Sequence, residues 1–126
     1  MAVSPEDRSG ELGDARVPTD RERISTAIVH TYKREFGKGP ESIRVHIADD
    51  TVMALLRGGF SIVEESLRRS GRAEVVRDQR RAFGDMVAPT LAAAVSEVIG
   101  REVVQVLADT SQDPDLSVVV FVLARA

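Results

Sequence analysis

A change of hydrophobic period on the two sides of the turn Gly37-Lys38-Gly39-Pro40 constrains the fold more than any other feature of this sequence. Before the turn, apolar residues between positions 24 and 36 recur at the spacing of one helix face. After it, residues 43–47 alternate between apolar and polar, which is typical of a strand with one buried face. The first glycine can end the helix in the left-handed conformation, and the proline prevents the helix from continuing. The chain must therefore change from helix to strand at this corner.

The rest of the chain carries patterns of the same two kinds, and the predicted order of elements is α-β-β-α-α-β-β. The first helix begins at the capping box Thr19/Glu22 and runs to Phe36, the second begins at the capping box Ser61/Glu64 and runs to Arg69, and the third runs from about Arg72 to Ile99. The predicted strands begin at Ser42, Thr51, Glu102 and Leu116, and residues 109–115 form the loop between the last two. Pro89 has no N–H to donate, so we expect it to kink or divide the third helix. We predict an α+β fold in two layers, with a four-stranded, mainly antiparallel sheet made of two β-hairpins and the helices packed on one face.

The composition indicates one soluble globular domain, since the 126 residues are 43% apolar and 29% charged. We place this domain at residues 19–126 and predict that residues 1–18, which are polar with no regular apolar spacing, form a disordered N-terminal tail. No apolar run approaches the roughly 18–20 residues of a transmembrane helix, and the N-terminus has no apolar signal-peptide core. We therefore expect a cytoplasmic protein without direct membrane insertion.

The turn Gly37-Lys38-Gly39-Pro40 contains residue types found in phosphate-binding loops, but its position argues against that role. A phosphate loop precedes a helix, so that the amide groups of the helix N-terminus face the anion. This turn follows a helix, and the partial negative charge of a helix C-terminus repels anions. We interpret it as a helix cap and a strand-entry corner, with Lys38 at its tip as a candidate contact for a partner.

A cluster of arginines is the second candidate for a binding site. Six arginines between positions 68 and 81 are opposed within that segment only by Glu74 and Asp78. Pairs four residues apart on a helix could hold an anionic ligand or partner. The candidate ligand- or partner-binding residues are Lys38, Arg68, Arg72, Arg77 and Arg81. The alternative is a solvated helix face whose arginines pair with neighbouring acids.

No residue pattern predicts a metal site, a cofactor or a catalytic residue. The chain has no cysteine and only His30 and His46, so a zinc site would need carboxylates from Asp49 or Asp50, which nothing in the spacing enforces. The Gly-x-Ser-x-Gly and His-Glu-x-x-His motifs are both absent from the sequence. A net charge of −3, one tyrosine and four phenylalanines argue against nucleic-acid binding.

The segment Val118–Leu123 is apolar on both faces, as expected of a central strand or of a strand covered by a partner. A single layer of helices covers only one face of a sheet, so the other face needs a different partner. We therefore predict a homo-oligomer, most simply a two-fold dimer. Its interface residues are Val118, Val120, Phe121 and Val122.

The order of several short motifs resembles the MpsC-like family of small bacterial proteins, named for a sodium-translocating, membrane-potential-generating system. The resemblance covers about residues 20–124 and rests on Tyr32-Lys33, Gly37-Lys38-Gly39-Pro40, Asp49-Asp50, Phe60-Ser61 with Glu64 and Leu67, Val76-Arg77, Gly100-Arg101 and Val120-Phe121-Val122-Leu123. The sequence departs from the pattern at Ser61-Ile62-Val63, where Thr-Pro-x is expected, and at Pro89.

The resemblance carries no catalytic residues over to this chain. It implies a cytosolic protein that works with or near a membrane cation or bicarbonate transport system, with a membrane transporter subunit as the expected partner. We therefore expect a non-enzymatic accessory or regulatory protein. The alternative is a small-ligand sensor that binds an anionic metabolite or nucleotide through the arginine cluster.

Overall fold

The computed structural model of the chain describes residues 16–125, so most of the tail predicted for residues 1–18 lies outside the described part. The order of elements is the predicted one. The elements are α1 (Asp20–Phe36), β1 (Ser42–Ala48), β2 (Thr51–Arg57), α2 (Ile62–Arg69), α3 (Ala73–Ile99), β3 (Val103–Gln112) and β4 (Asp115–Leu123).

The ends of the first two helices confirm the capping predictions. The Glu22 amide donates to the Thr19 hydroxyl at the start of α1, and the Glu64 amide donates to the Ser61 hydroxyl at the start of α2. In both cases the glutamate side chain accepts from the backbone N–H of the capping residue, which completes the capping box. Gly37 ends α1 with φ 87°, a left-handed conformation that suits glycine.

The long helix α3 continues through Pro89 as one element, so of the two predicted outcomes, a kink or a division, the division is not observed. An 18-residue stretch of α3 has a mean hydropathy of 1.3 and would suffice by length and composition to cross a membrane. The sequence expectation rested on uninterrupted apolar runs and missed this stretch. In the fold, Val87, Leu91 and Val95 of α3 belong to the hydrophobic core, whereas most of the apolar stretch is not buried.

The four strands form one sheet in the order β1-β2-β4-β3, and every neighbouring pair is antiparallel. Strand β4 is therefore central. The second hairpin is longer than predicted, because β3 extends to Gln112 and only Asp113 and Pro114, joined by a cis peptide bond, separate the two strands. Polar residues made this segment look like a loop, but Thr110 donates across the hairpin to the carbonyl oxygen of Leu116.

The core lies between the sheet and the helices, which confirms the two-layer prediction. Helix α1 packs against β1 and α3, and α3 packs against β3. Alternate residues of β2 and β4 face these helices, and they are the most buried in each strand. The helix-facing core residues of the sheet are Val45, Val52, Ala54, Leu56, Val119, Phe121 and Leu123. The opposite side of the sheet, named the open face below, carries the intervening residues.

Candidate functional site

A buried cluster of charges joins α2, α3 and β4. The Arg80 guanidinium donates from Nε to Glu64 Oε2 at 3.0 Å and from Nη1 to Asp115 Oδ1 at 2.7 Å. Glu64 is 0% exposed, and both Arg80 and Asp115 are largely covered. Burial by itself lowers the pKa of Arg80, but the hydrogen bonds to Asp115 and Glu64 outweigh it and leave the pKa raised. Arg80 therefore stays charged and holds three elements together.

Phe60 connects this cluster to the turn after α1. The guanidinium carbons of Arg68 and Arg80 each lie 4.4 Å from the centre of the Phe60 ring, which places both cations in range of its π-face. The Nζ atom of Lys38 donates to the backbone oxygen of Phe60 at 2.9 Å. Arg68 also donates to the side chain of Gln112 in β3. Two cations thus lie over the Phe60 ring, and a third bonds to the backbone of the same residue.

A cavity of about 290 Å³ lies beside this cluster, between the helices and the sheet. Its walls are mainly apolar and are contributed by α1, α3 and three strands. Apolar wall residues include Phe36, Leu56, Phe83, Val87, Leu91, Val106 and Val119, and polar ones include Tyr32, Lys38, Arg80, Thr110 and Ser117. A volume near 300 Å³ is at the lower end of the range for pockets that bind small molecules.

The turn Gly37-Lys38-Gly39-Pro40 forms part of the rim of this cavity, together with Gly58 and Gly59. The two loops touch closely, since a Cβ atom on Gly59 would lie 3.0 Å from the backbone oxygen of Gly39. Gly59 also has φ 98°, which L side chains rarely adopt. The corner is therefore structural, as predicted, and it also positions Lys38 at the cavity.

The tyrosine at the cavity wall stays protonated at neutral pH. Burial raises the pKa of Tyr32 above 10.0, and the positive charge of Arg80 opposes that rise only in part. The ring also packs against Phe83, with ring centres 5.2 Å apart in an edge-on arrangement. Its hydroxyl can therefore donate a hydrogen bond to a group inside the cavity.

The structure separates the five residues predicted to bind a ligand or partner. Lys38 and Arg81 line the cavity, and Arg68 lies beside it on Phe60. Arg72 lies exposed at the N-cap of α3 without a side-chain capping bond, and Arg77 is exposed and pairs with its neighbour Asp78 at 3.4 Å. The last two thus belong to a solvated helix face.

Arg80 and Tyr32 lie at the site although neither is among the predicted site residues, and the sequence carries one signal for Arg80. Arg80 follows the buried Val76 by four positions and precedes Phe83 by three, so helical spacing places it on the core-facing stripe of α3. A charged residue on such a stripe needs a buried partner. Asp115, which meets this need with Glu64, is 35 positions away, and no local pattern predicts that contact.

The open face of the sheet is the second candidate surface. Strand register places Met53 and Leu55 of β2 beside Val118 and Val120 of β4, and Leu107 of β3 beside Val120. Leu107 is 55% exposed. Val122 also lies on this face. The open face therefore presents a contiguous apolar strip across the inner strands β2 and β4 and the edge strand β3.

Three of the four residues predicted to form an oligomer interface lie on the open face, and Phe121 does not. Val118, Val120 and Val122 are half-buried there. Phe121 is 0% exposed and belongs to the helix-facing core. Neighbouring residues of a strand point to opposite sides of the sheet, so a strand that is apolar on both sides divides its residues between the core and an open surface.

Charges of opposite sign flank the apolar strip within one row of residues. Register pairs Arg44 with Leu55, Leu55 with Val118, and Val118 with Asp109. The row therefore begins with a cation on the edge strand β1 and ends with an anion on the edge strand β3. Both charged residues are exposed. The hydrogen bond from the backbone N–H of Thr110, helped by the nearby Arg81, lowers the pKa of the Asp109 carboxyl, which keeps it ionised.

The backbone of the edge strand β3 is partly protected from pairing with another strand. The amide of Val106 donates to the Gln105 side chain at 2.9 Å, and the amide of Thr110 donates to the Asp109 side chain at 2.8 Å. These N–H groups are therefore occupied within the strand itself. Natural proteins limit strand addition at sheet edges by such means.

The residues considered for a metal site do not form one, and the Asp49-Asp50 turn has a structural role. Arg101 donates to the carboxylate of Asp50 and to the backbone oxygens of Asp49 and Ala124, so it ties the first hairpin to the end of β4. Within residues 16–125, no three His, Asp or Glu side chains are grouped to hold a metal ion. His30 and His46 are both exposed.

The comparisons with known proteins match these motifs to one family. Neither the curated proteins nor the solved structures gave a match to this chain. The family model described as "Na+-translocating membrane potential-generating system (MpsC)" matches residues 20–125, which is nearly the whole described domain. The chain therefore belongs to the MpsC family.

Proposed function

We propose that this chain is a non-enzymatic accessory or regulatory protein of a membrane cation or bicarbonate transport system, that it is cytoplasmic, and that it acts as a homodimer. The family description supports the connection to sodium translocation and membrane potential. The open face supports a role in binding another protein surface, because its apolar strip is uncovered in the single chain. This uncovered strip is the observation on which the proposal chiefly rests.

The proposed dimer packs two open faces against each other about a two-fold axis parallel to the strands. Such an axis brings β1 of one copy over β3 of the other, because it exchanges the two edges of the sheet. Arg44 and Asp109 lie in one row. Each Arg44 then faces Asp109 of the other copy, and Leu55 and Val118 meet in the centre. Packed sheets lie about 10 Å apart, a gap that an arginine and an aspartate side chain together can bridge.

Light scattering of the purified chain at micromolar concentration tests the dimer, and a mass of two chains is the expected result. A monomer at that concentration would contradict it. Val118→Lys and Val120→Lys should each shift the mass toward one chain, whereas Arg77→Ala on the solvated face of α3 should leave it unchanged. Both lysine variants sit outside the helix-facing core, and circular dichroism shows whether they remain folded.

Affinity purification from the native host tests the link to transport. The tagged wild-type chain should retain a membrane transporter subunit in detergent extracts. The same purification with an unrelated tagged protein of similar size is the control. Failure to enrich any transporter subunit over that control would contradict the accessory role, whatever the oligomeric state.

A sensor of a small anionic ligand is a second candidate function, favoured by the cavity of about 290 Å³ beside Lys38 and Arg80. A transport system is commonly adjusted to the supply of a solute, and a regulatory subunit with a ligand cavity could report that supply. A thermal-shift screen with nucleotides and carboxylates would detect such a ligand through stabilisation of the folded state. The two candidate functions are compatible in one protein.

A further inference from the structure

We propose that the cavity binds a small amphipathic monocarboxylate, with its apolar body against the helix–sheet walls and its carboxylate at Lys38. This inference rests on the second candidate function and names the class of ligand. The cavity belongs to a single chain, so the proposed site does not require the dimer.

The walls select the body of the ligand. Leu56, Val87, Leu91 and Val119 are core residues that also line the cavity, and Phe83 covers one side. Moving an apolar group from water to such a surface is favourable by roughly 25 cal/mol per Å² of buried area. A nucleotide or an inorganic anion would leave much of this apolar surface uncovered, whereas a short aliphatic or cyclic chain would cover it.

The charges beside the cavity select the head group. The cluster around Phe60 contains three cations, Lys38, Arg68 and Arg80, and two buried or half-buried anions, Glu64 and Asp115. Of the three cations that line the cavity in the described residues, Arg80 pairs with Glu64 and Asp115 and Arg81 pairs with Asp109, which leaves Lys38 for one negative charge of a ligand. A second negative charge on the ligand would meet no further cation of this wall that is not already paired with a carboxylate.

Lys38 is the cation that can take this role. Arg80 is already committed to two carboxylates, and Arg68 bonds to Gln112. Within residues 16–125, the bond that Lys38 makes is to a neutral acceptor, the backbone oxygen of Phe60. An ammonium group can donate three hydrogen bonds, and a charge-assisted bond to a carboxylate is stronger than one to a carbonyl. The protonated hydroxyl of Tyr32 lies on the same cavity wall as a further donor.

The single tyrosine of the chain makes the proposal directly measurable. Tyr32 lines the cavity, and the chain has no tryptophan, so intrinsic fluorescence reports on this site alone. We expect hexanoate to change the emission in a saturable way, with a Kd at least about tenfold lower than that of hexanamide, which has the same length but no charge. One charge-assisted hydrogen bond suffices for such a difference.

Two pairs of variants separate the contribution of the ligand's carboxylate to binding from that of its apolar body. Lys38→Met should abolish the preference for hexanoate, whereas Lys33→Met, which removes the only other lysine, should preserve it. Ala88→Leu, at the cavity wall, should weaken both probes at least fivefold, whereas Ala93→Leu on the exposed side of α3 should weaken neither. Thermal unfolding of each variant confirms that it is folded.

Equal affinity for hexanoate and hexanamide, the absence of any saturable change, or an equal effect of Lys33→Met would each overturn the proposal. Binding of a nucleotide in place of hexanoate would keep a sensor function but overturn the monocarboxylate class. These measurements use the purified chain, so their failure leaves the light-scattering and co-purification results to decide the accessory role independently.

Discussion

The carboxylate of Glu64 accepts a hydrogen bond from Arg80 Nε at 3.0 Å while its other oxygen accepts from the Ser61 amide, also at 3.0 Å. The same side chain therefore completes the capping box of α2 and anchors α3. Glu64 is 0% exposed, which is unusual for a capping glutamate. One residue thus takes part both in a local capping motif and in a long-range ion pair.

Removal of Arg80 should strongly destabilise the fold. Arg80→Ala leaves the Glu64 and Asp115 carboxylates buried without their cation, and breaking a buried pair in this way typically costs about 3–5 kcal/mol. Urea denaturation followed by circular dichroism measures the free energy of unfolding. Arg77→Ala, on the exposed face of the same helix, should change it by less than about 0.5 kcal/mol. Equal effects of the two variants would contradict the assigned role of Arg80.

Alkaline pH should destabilise the protein through Tyr32. Its pKa is raised by burial in the folded state above the ordinary value of 10.0. The contribution of Tyr32 to stability is therefore fully present below pH 10 and is lost as the pH rises through the folded-state pKa. Ultraviolet absorbance of the phenolate follows this residue alone, because the chain has one tyrosine and no tryptophan. A folded-state pKa at or below 10 would show that the hydroxyl is not buried as described. Tyr32→Phe should remove the alkaline loss of stability attributed to this group.

The contact between the two glycine-containing loops should make Gly59 intolerant of a side chain. Gly59→Ala forces an L residue to φ 98° and brings its Cβ within 3.0 Å of the Gly39 oxygen, so we expect a loss of about 1–3 kcal/mol. Gly84 offers a matched control, because it lies in α3 and a Cβ there would meet no atom within 4 Å. Gly84→Ala should stabilise the fold by up to about 1 kcal/mol. Thermal unfolding of the two variants should therefore shift in opposite directions.

A charge exchange across the proposed dimer interface should reveal its symmetry. Arg44→Glu would place like charges opposite each other twice per dimer, and exposed pairs contribute up to about 1 kcal/mol each. We therefore expect the dimer Kd to rise about tenfold at low salt and less at high salt. Combining Arg44→Glu with Asp109→Lys should restore the Kd to within about threefold of the wild type in sedimentation measurements. If the double variant is no better than the single ones, the two residues do not face each other.

Local patterns predicted the helices and strands because their signals lie within a few residues. The capping residues Thr19 and Ser61 and the left-handed Gly37 mark helix ends that the structure confirms. The extent of β3 escaped prediction because Asp109 and Ser111 are residue types that are common in turns. Pairing with β4 decides their conformation, and that pairing depends on the register of the whole hairpin.

The candidate site was less predictable than the fold, because its residues come together from distant positions. Lys38 was predicted from its place at the tip of the turn and Arg81 from the spacing of the arginine cluster, but the cavity requires α1, α3 and the sheet to be assembled. Charge does not distinguish Arg80 from Arg77, and the helical spacing that places Arg80 on the core-facing stripe does not identify its buried partners. The central position of β4 likewise became clear only from the strand order.

Two backbone amides of the edge strand β3 are bonded to side chains of the same strand, and this limits the addition of further strands at that edge. Edge strands with free amides can add copy after copy and produce filaments, because each new strand offers a fresh edge. Here the backbone N–H groups of Val106 and Thr110 donate hydrogen bonds to the side chains of the preceding residues. Growth by sheet extension at that edge is therefore disfavoured. In the proposed face-to-face dimer, each copy would cover the apolar strip of the other, so the strip would not be available to a third copy.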